Sequence, residues 1–228
     1  MLQEIDHLYG LKLSATDKDI GHIDDFYFDD HSWLSRYIVV DTGSWLNSRQ
    51  VLLAPEAFTA DALNHGNATA KHIQVNLTSK QIENSPSIVT HRTVSRQYED
   101  EYYRYYGWPN YWESGMLGAP GLTAFTPDLF GGSDVVHPRH QGGDPHLHGT
   151  RDITGYMIHA LDGELGTVSG FMVNSKTWGL HVVIIETGAW YKSQSFHLLT
   201  EHIIRISHEK SMVYVNVTIA DLTRNVHR

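Results

Sequence analysis

Four histidines lie close together in a Gly- and Pro-rich stretch that runs from Gly115 to Gly149. They form two short motifs, His-Pro-Arg-His and His-Leu-His, and are His137, His140, His146 and His148. Neutral imidazoles at such spacings can bind Zn, Ni or Cu. The Gly/Pro composition disfavours a preorganised site, so the simpler interpretation is a solvated loop. Metal binding through these four histidines is kept as an alternative, and no cofactor is expected.

A second chemical pattern stands at the end of an apolar run. Val39-Val40-Asp41-Thr42-Gly43 is typical of aspartic proteases, and the matching segment 145 residues later contains Glu186-Thr187-Gly188. Those enzymes activate water with two carboxylates that share one proton. Trp45 stands where the protease pattern has a small polar residue. We therefore expect Asp41 and Glu186 to accept hydrogen bonds in turns, and protease-like hydrolysis is a disfavoured alternative.

Other signatures of catalysis are missing from the sequence. It contains no phosphate-binding loop, no Gly-x-Gly-x-x-Gly, no Gly-x-Ser-x-Gly elbow and no His-Glu-x-x-His. The absence of cysteine excludes disulfides and thiolate chemistry. A net charge of −9 argues against generic binding of a phosphate backbone. These observations predict a protein that is not an enzyme and for which nucleic acid is a disfavoured partner.

The sequence also lacks the features of a membrane protein. No apolar run approaches the roughly 20 residues of a membrane-spanning helix. The segment from Met1 to Asp6 lacks the basic and apolar regions of a signal peptide. We expect a cytoplasmic protein without membrane insertion.

An internal repeat organises the elements that must position these residues. The segment from Trp33 to Trp45 recurs as Trp178 to Trp190, an offset of 145 residues. The same offset relates Gly10 to Gly155, Gly21 to Gly166 and Phe26 to Phe171. Such a frame indicates a duplication, with two small cores rather than one.

Each copy is expected to contain five or six short strands joined by tight polar turns. The central strands are Tyr37–Val40 and Val182–Ile185, which are too apolar to have one face in water. Each copy ends with a helix-capping signal, Thr78 with Gln81 in the first and Thr218 with Asp221 in the second. This pattern predicts a mainly β protein made of two small closed barrels.

The order of these motifs resembles the PRC-barrel family. An aromatic strand is followed by an Asp/Asn turn, a Trp, a Val/Ile-rich strand, Asp/Glu-Thr-Gly and, in the first copy, Val51-Leu52-Leu53-Ala54-Pro55. The family includes the cytoplasmic domain of the photosynthetic reaction centre H subunit and the C-terminal domain of a ribosome maturation factor. The chain looks most similar to bacterial tandem PRC-barrel proteins. The resemblance implies a mainly β fold of two PRC-type barrels with short helices and a long connector.

The predicted domains are repeat 1 (1–85), an aromatic helix and Gly/Pro-rich linker (86–149) and repeat 2 (150–228). In the linker, Ser95 can cap a helix that Gly107 ends. The tyrosines expected on one face of that helix are Tyr98, Tyr102 and Tyr105, with Trp108 and Trp112 just beyond it. This aromatic stretch packs between the barrels or binds a partner.

The favoured function is a protein-interaction or scaffold module with an unidentified protein partner. The candidate contact residues are Trp45, Trp190, Tyr98, Tyr102, Tyr105, Trp108 and Trp112. An RNA-processing or ribosome-assembly adaptor is the main alternative. The two repeats form a pseudo-dimer within one chain, or exchange between chains to form a homodimer.

Overall fold

A computed structural model describes residues 1–47, 49–59, 72–85, 102–108, 146–187 and 194–224. The chain divides into two compact units, of which the first is Met1–Asn84 together with His146–Arg228 and the second is Ser85–Pro145. The first unit is mainly β, as the sequence predicts. In the described part of the chain, no helix is long and apolar enough to cross a bilayer.

The strands of the first unit are numbered in chain order. They are β1 (Leu2–Glu4), β2 (Lys12–Ser14), β3 (Asp19–Asp29), β4 (Ser35–Asp41), β5 (Gln50–Leu53), β6 (His72–Gln74), β7 (Leu147–Gly149), β8 (Met157–Ala160), β9 (Gly163–Asn174), β10 (Leu180–Thr187), β11 (Gln194–Leu199), β12 (Ile203–Ser207) and β13 (Met212–Val215). Short 3₁₀ turns occupy Ile5–His7, Gly43–Leu46, Pro55–Ala57 and Thr200–His202. The α-helices are Ser79–Glu83, Thr150–Ile153 and Ile219–Arg224.

The strands form two sheets of similar design. One has the order β5-β4-β3-β2-β6, with β7 also paired to β3, and the other has the order β11-β10-β9-β8-β13-β12, with β1 also paired to β9. Neighbouring strands are antiparallel except for β2 with β6 and β8 with β13, which are parallel. The two apolar segments are confirmed as strands, β4 and β10, but each lies next to an edge strand, and β3 is the middle strand of the smaller sheet.

Each sheet contains one short strand from the other half of the sequence. Strand β1 pairs with β9, so that Leu2 lies opposite Asn174. Strand β7 pairs with β3, so that Leu147 lies opposite Asp29. The second register repeats the first with every residue number related by 145 positions. The sheets are therefore joined by a reciprocal exchange of strands, which neither the apolar pattern nor the turns predict.

A pair of backbone hydrogen bonds crosses the seam between the sheets. The Ser35 N–H donates to the Trp178 carbonyl at 2.9 Å, and the Leu180 N–H donates to the Trp33 carbonyl at 2.7 Å. Both tryptophans have left-handed backbones, with φ of 56° at Trp33 and 58° at Trp178. Such a φ is uncommon for a bulky residue, so the surrounding contacts hold each tryptophan in place.

Aromatic side chains fill the core where the two sheets meet. Phe28 stacks on Trp33 with ring centroids 5.1 Å apart, and it also contacts Phe171 of the other sheet at 5.8 Å. Trp178 packs on Phe58 at 4.8 Å. Because rings from both sheets share these contacts, burial of apolar surface stabilises the two halves together.

The expectation of two closed barrels is not met. Among the described strands neither sheet closes on itself, since β5 and β6 are the edges of the smaller sheet and β11 and β12 are the edges of the larger. The long strands β3 and β9 instead use part of one edge to bind β7 and β1 from the other half. The sheets are thus extended into each other rather than closed.

The two predicted helix caps are confirmed. The Thr78 hydroxyl accepts the Gln81 N–H at 3.3 Å, and the Gln81 side chain accepts the Thr78 N–H at 2.9 Å. The Thr218 hydroxyl likewise accepts the Asp221 N–H at 3.2 Å. The sequence did not predict that a distant carboxylate, Asp17, also accepts the Ser79 N–H at 2.8 Å.

Thr78→Ala should lower the free energy of unfolding by about 1 kcal/mol, because it leaves a helix-terminal N–H without its acceptor. Urea unfolding of Thr78→Ala, Thr78→Ser and the wild-type protein measures this loss. Thr78→Ser keeps the hydroxyl and should stay close to wild type. Equal stability of the two variants would contradict the cap assignment.

The second unit is described only at 85 and 102–108. Residues 102–106 are helical, and Gly107 follows with a φ of +69°, a left-handed conformation that suits glycine at a helix end. The helix therefore ends where the sequence predicts.

Candidate functional site

A chain of polar side chains crosses the seam between the sheets. It runs from Tyr156, just before β8, to His208 in the β12–β13 loop, then to His148 in β7 and Asp30 at the end of β3. The exchange of β7 positions this chain, because pairing with β3 places His148 opposite Phe28, two residues before Asp30. Four segments that are distant in sequence thus meet at one place.

Each contact in the chain has hydrogen-bond length. The Tyr156 hydroxyl lies 2.8 Å from His208 Nδ1, His208 Nε2 lies 2.6 Å from His148 Nδ1, and His148 Nε2 lies 3.0 Å from Asp30 Oδ2. His148 is only 2% exposed. Its ring is further held by Phe28, with centroids 5.7 Å apart.

One assignment of protons satisfies all three contacts with neutral imidazoles. Tyr156 donates to His208, His208 donates through Nε2 to His148, and His148 donates through Nε2 to the Asp30 carboxylate. The result is a one-directional series of hydrogen bonds that ends on an anion. Such a series fixes the tautomer and orientation of each ring.

The electrostatic environment agrees with this assignment at the two ends of the chain. Burial and the neighbouring His148 lower the pKa of His208 below its usual range. Burial alone would raise the pKa of Asp30, but hydrogen bonds and charge from His148 and His146 lower it overall. Burial and the charge of Asp152 raise the pKa of Tyr156. The ground state therefore has an ionised Asp30 and a neutral phenol at opposite ends.

Two more imidazoles meet the same carboxylate from the solvent side. His31 Nδ1 and His146 Nδ1 each lie 3.0 Å from Asp30 Oδ1. Their rings contact edge to face, with centroids 4.1 Å apart. In the described part of the chain, Asp30, His31 and His146 form a group whose candidate ligand atoms all lie within 4.8 Å of one another. Two imidazoles and a carboxylate are a donor set that can hold a divalent metal.

Only part of this site is predicted from the sequence. His146 and His148 were candidates, whereas Asp30, His31, Tyr156 and His208 were not. The sequence places Asp30 and His31 in the Asp/Asn turn that follows the aromatic strand, where no chemistry is expected. One signal in the sequence could have found them. Leu2 and Leu147 are separated by the same 145 residues as the two repeats, and an exchange of the strands that begin at these two leucines brings residues 146–148 beside the end of β3.

A second buried polar cluster surrounds Asp25 of β3. Asp25 Oδ1 accepts the Thr150 hydroxyl at 2.7 Å, the Phe26 N–H at 2.8 Å and the Arg151 N–H at 3.1 Å. The Tyr9 hydroxyl lies 2.8 Å from Thr150 Oγ1. Burial, which outweighs these hydrogen bonds, and the charge of Asp152 raise the pKa of Asp25 to about 6. The Asp25 carboxylate thus links β3 to residues 150 and 151 of the other half of the sequence. Its pKa lies within about one unit of neutral pH.

The two acids of the protease-like pattern lie in different sheets. Asp41 ends β4 and accepts the Gly43 N–H at 2.7 Å, the turn hydrogen bond that the sequence predicts for this acid. Its other oxygen lies 3.9 Å from His22 Nε2. Glu186 lies in β10 and pairs with Thr167 and Ser195 in the ladder. No hydrogen bond among the described residues joins the two acids.

The aromatic contact candidates are only partly described. Trp45 is half-buried, and the Lys18 ammonium lies 4.0 Å from the centre of its ring. Tyr102 is buried whereas Tyr105 is exposed, so these two do not share one environment. Trp108 stacks on Tyr106 with centroids 4.4 Å apart. Tyr98, Trp112 and Trp190 lie outside the described residues.

The four linker histidines are divided in the same way. His146 and His148 belong to the cluster at Asp30. His137 and His140 lie outside the described residues, so their part in metal binding stays a prediction.

No protein-family model matches the chain, and no curated protein is found to be similar to it.

Proposed function

We propose that this chain is a non-catalytic protein-interaction or scaffold module built from two diverged PRC-type units with open sheets. The observation that carries the proposal is the reciprocal exchange of β1 and β7, which makes two repeats into one body. A body whose halves share strands can hold a contact surface in one fixed orientation. A fixed contact surface is a property that a scaffold requires and that catalysis does not.

The order of motifs and the repeated register at an offset of 145 residues support the PRC-type assignment. In each half an Asp or Asn caps the turn before the left-handed tryptophan: Asp29 accepts the Ser32 N–H at 2.8 Å, and Asn174 accepts the Thr177 N–H at 3.3 Å. The two halves have kept this frame while the polar residues around it differ. At equivalent positions of the two repeats, Glu186 stands in place of Asp41 and Gly170 in place of Asp25.

The larger sheet offers the best-described contact surface. Its edge strands β11 and β12 flank the 3₁₀ turn Thr200–His202, and Leu199 and Ile204 beside that turn are 48% and 60% exposed. At the corresponding place in the smaller sheet, Ala54 is buried. Exposed apolar side chains next to sheet edges are typical of surfaces that bind a protein partner.

The test compares what two surface variants capture from native lysate. A Leu199→Asp/Ile204→Asp double variant should lose a specific partner by roughly tenfold or more, because it places charge in an apolar contact. Leu161→Asp is the matched control, since Leu161 is 66% exposed on the turn between β8 and β9, two strands that are not edges of the sheet. Quantitative mass spectrometry of captured proteins, with circular dichroism to verify folding, measures the difference.

Equal capture by both variants and wild type would contradict the assignment of this surface and count against the scaffold role. Retention on heparin that falls steeply with salt would favour the RNA-adaptor alternative instead.

A further inference from the structure

We propose that Asp30, His31 and His146 form a binding site for a first-row divalent metal ion such as Zn²⁺ or Co²⁺. The site is separate from the surface at Leu199 and Ile204, so it stands independently of the scaffold function. It also differs from a site made by the linker histidines alone, since two of its three ligands come from the end of β3 and the turn that follows.

Two of the three donor–donor distances are already close to those that a metal needs, and all three are within 4.8 Å. In a tetrahedral Zn²⁺ site with bonds of about 2.0 Å, neighbouring donor atoms lie about 3.3 Å apart. Asp30 Oδ1 lies 3.0 Å from both His31 Nδ1 and His146 Nδ1. Metal binding replaces the two N–H···O hydrogen bonds with two N–metal bonds and one O–metal bond. Each imidazole stays neutral, because the proton that Nδ1 donates to Asp30 in the metal-free site moves to Nε2 by exchange with solvent and leaves the Nδ1 lone pair for the metal.

The backbone fixes the three ligands relative to one another. The Asp30 N–H donates to the His146 carbonyl at 3.0 Å, which continues the β3–β7 pairing. The Asp29 carboxylate accepts the His31 N–H at 3.1 Å and the Ser32 N–H at 2.8 Å, and so holds the turn that carries His31. The ligands therefore come from a strand end, a capped turn and the residue that precedes a paired strand.

A buried hydrogen bond orients the carboxylate. His148 donates to Asp30 Oδ2 at 3.0 Å, which leaves Oδ1 facing His31 and His146. His148 is itself oriented by His208 at 2.6 Å. Such an outer partner raises the affinity of a ligating carboxylate for its metal, because it lowers the cost of ordering the site. The polar chain across the seam thus acts as the support of the metal site.

The donor set and its exposure define the class of ligand. Two imidazole nitrogens favour Zn²⁺, Co²⁺, Ni²⁺ or Cu²⁺ over Ca²⁺ and Mg²⁺, which prefer oxygen. The side chains of His31 and His146 are 69% and 49% exposed, so an ion can enter and water can fill the remaining coordination positions.

Isothermal titration of the full-length protein with ZnCl₂, after treatment with a chelator, tests the proposal. Wild type should bind one Zn²⁺ tightly at this site, and His31→Ala and His146→Ala should each weaken that binding by roughly 10- to 100-fold. Visible absorption with Co²⁺ should show d–d bands that both variants lose. His31 is exposed, so its removal leaves the core intact, and thermal unfolding without metal verifies this.

Two controls separate this site from other histidines. His72→Ala removes another exposed imidazole that lies 3.8 Å from a carboxylate, Asp19, and should leave Zn²⁺ binding unchanged. A His137→Ala/His140→Ala double variant should also bind as wild type does. The proposal is overturned if wild type shows no saturable binding, if His31→Ala binds as wild type does, or if the His137→Ala/His140→Ala variant loses the tight site.

Discussion

Gly21→Ala is expected to lower the free energy of unfolding by roughly 4 kcal/mol or more. A loss of this size is exceptional for one substitution and is expected here because the new side chain overlaps the backbone of the neighbouring strand. A Cβ at position 21 would lie 2.0 Å from the Asp41 carbonyl oxygen, and the φ of +139° at Gly21 is one that L-residues rarely adopt. The obstacle is backbone rather than a flexible side chain. Strand β3 must therefore move away from β4, which disturbs the central pairing of the smaller sheet.

Gly166→Ala separates the two causes of this loss. Gly166 is the residue 145 positions later, and its Cβ would lie 2.2 Å from the Glu186 carbonyl oxygen, but no left-handed φ is required there. A loss of similar size in urea unfolding would show that the close approach of the strands dominates. Gly10→Ala is the control for the φ alone, because Gly10 has a φ of +74° with no atom within 4 Å of a Cβ, and it should cost about 1 kcal/mol.

Equal free energies of unfolding for Gly21→Ala and Gly10→Ala would contradict the close approach of β3 to β4 at Gly21.

Asp25→Asn is expected to stabilise the protein above pH 6 by up to about 3 kcal/mol. Burial raises the pKa of Asp25 from 3.8 to about 6, a shift of about two pH units that corresponds to about 3 kcal/mol. Asparagine keeps an oxygen to accept the hydrogen bonds from Thr150, Phe26 and Arg151. It removes the buried charge that Asp25 carries at neutral pH.

The sign of the pH dependence follows from the raised pKa. The folded protein holds the Asp25 proton more tightly than the unfolded chain does, so this carboxyl contributes its full stability below about pH 4. The contribution is lost as pH rises through about 6. The difference in unfolding free energy between Asp25→Asn and wild type should therefore grow between about pH 4 and 6 and level off above.

Urea unfolding of both proteins across that range measures the difference, and other titrating groups cancel in it. Asp24→Asn is the matched control, because Asp24 is a partly exposed neighbour that pairs with Arg151 at 3.6 Å, and it should give no gain above pH 6. A wild-type protein that is more stable than Asp25→Asn at pH 8 would contradict the burial of Asp25 as an unfavourable charge.

The regular part of the fold could be predicted from the sequence because it depends on local patterns. Val39 and Val40, and Val183 and Ile184, belong to apolar runs bounded by turn residues, and such runs predict buried strands. Thr78 and Gln81 form a helix cap within four residues, so nothing distant is needed to recognise it. These predictions concern interactions between neighbours in the chain.

The exchanged strands could not be predicted in this way. Leu2–Glu4 and Leu147–Gly149 are each three residues long, too short for a periodic pattern, and each is stabilised by a strand of the other half. The closed barrels were predicted because each half was assumed to pair only with itself.

The candidate site was hidden for the same reason. Asp30, His148 and His208 meet only when β7 lies on β3 and the β12–β13 loop reaches the seam. A histidine in a Gly/Pro-rich stretch is correctly interpreted as solvated unless a distant carboxylate and a distant imidazole are known to surround it.

The exchange of β7 also means that the first half of the chain cannot complete its sheet until the first strand of the second half has been synthesised on the ribosome. The edge of β3 at Tyr27–Asp29 receives its partner only when Leu147–Gly149 has emerged. At a translation rate of 5–20 residues per second, the newly made first half waits roughly 6 to 24 s for that partner. During this time an unpaired strand edge faces neighbouring nascent chains on the same messenger RNA. The first half of this protein is therefore most vulnerable to aggregation before its second half exists.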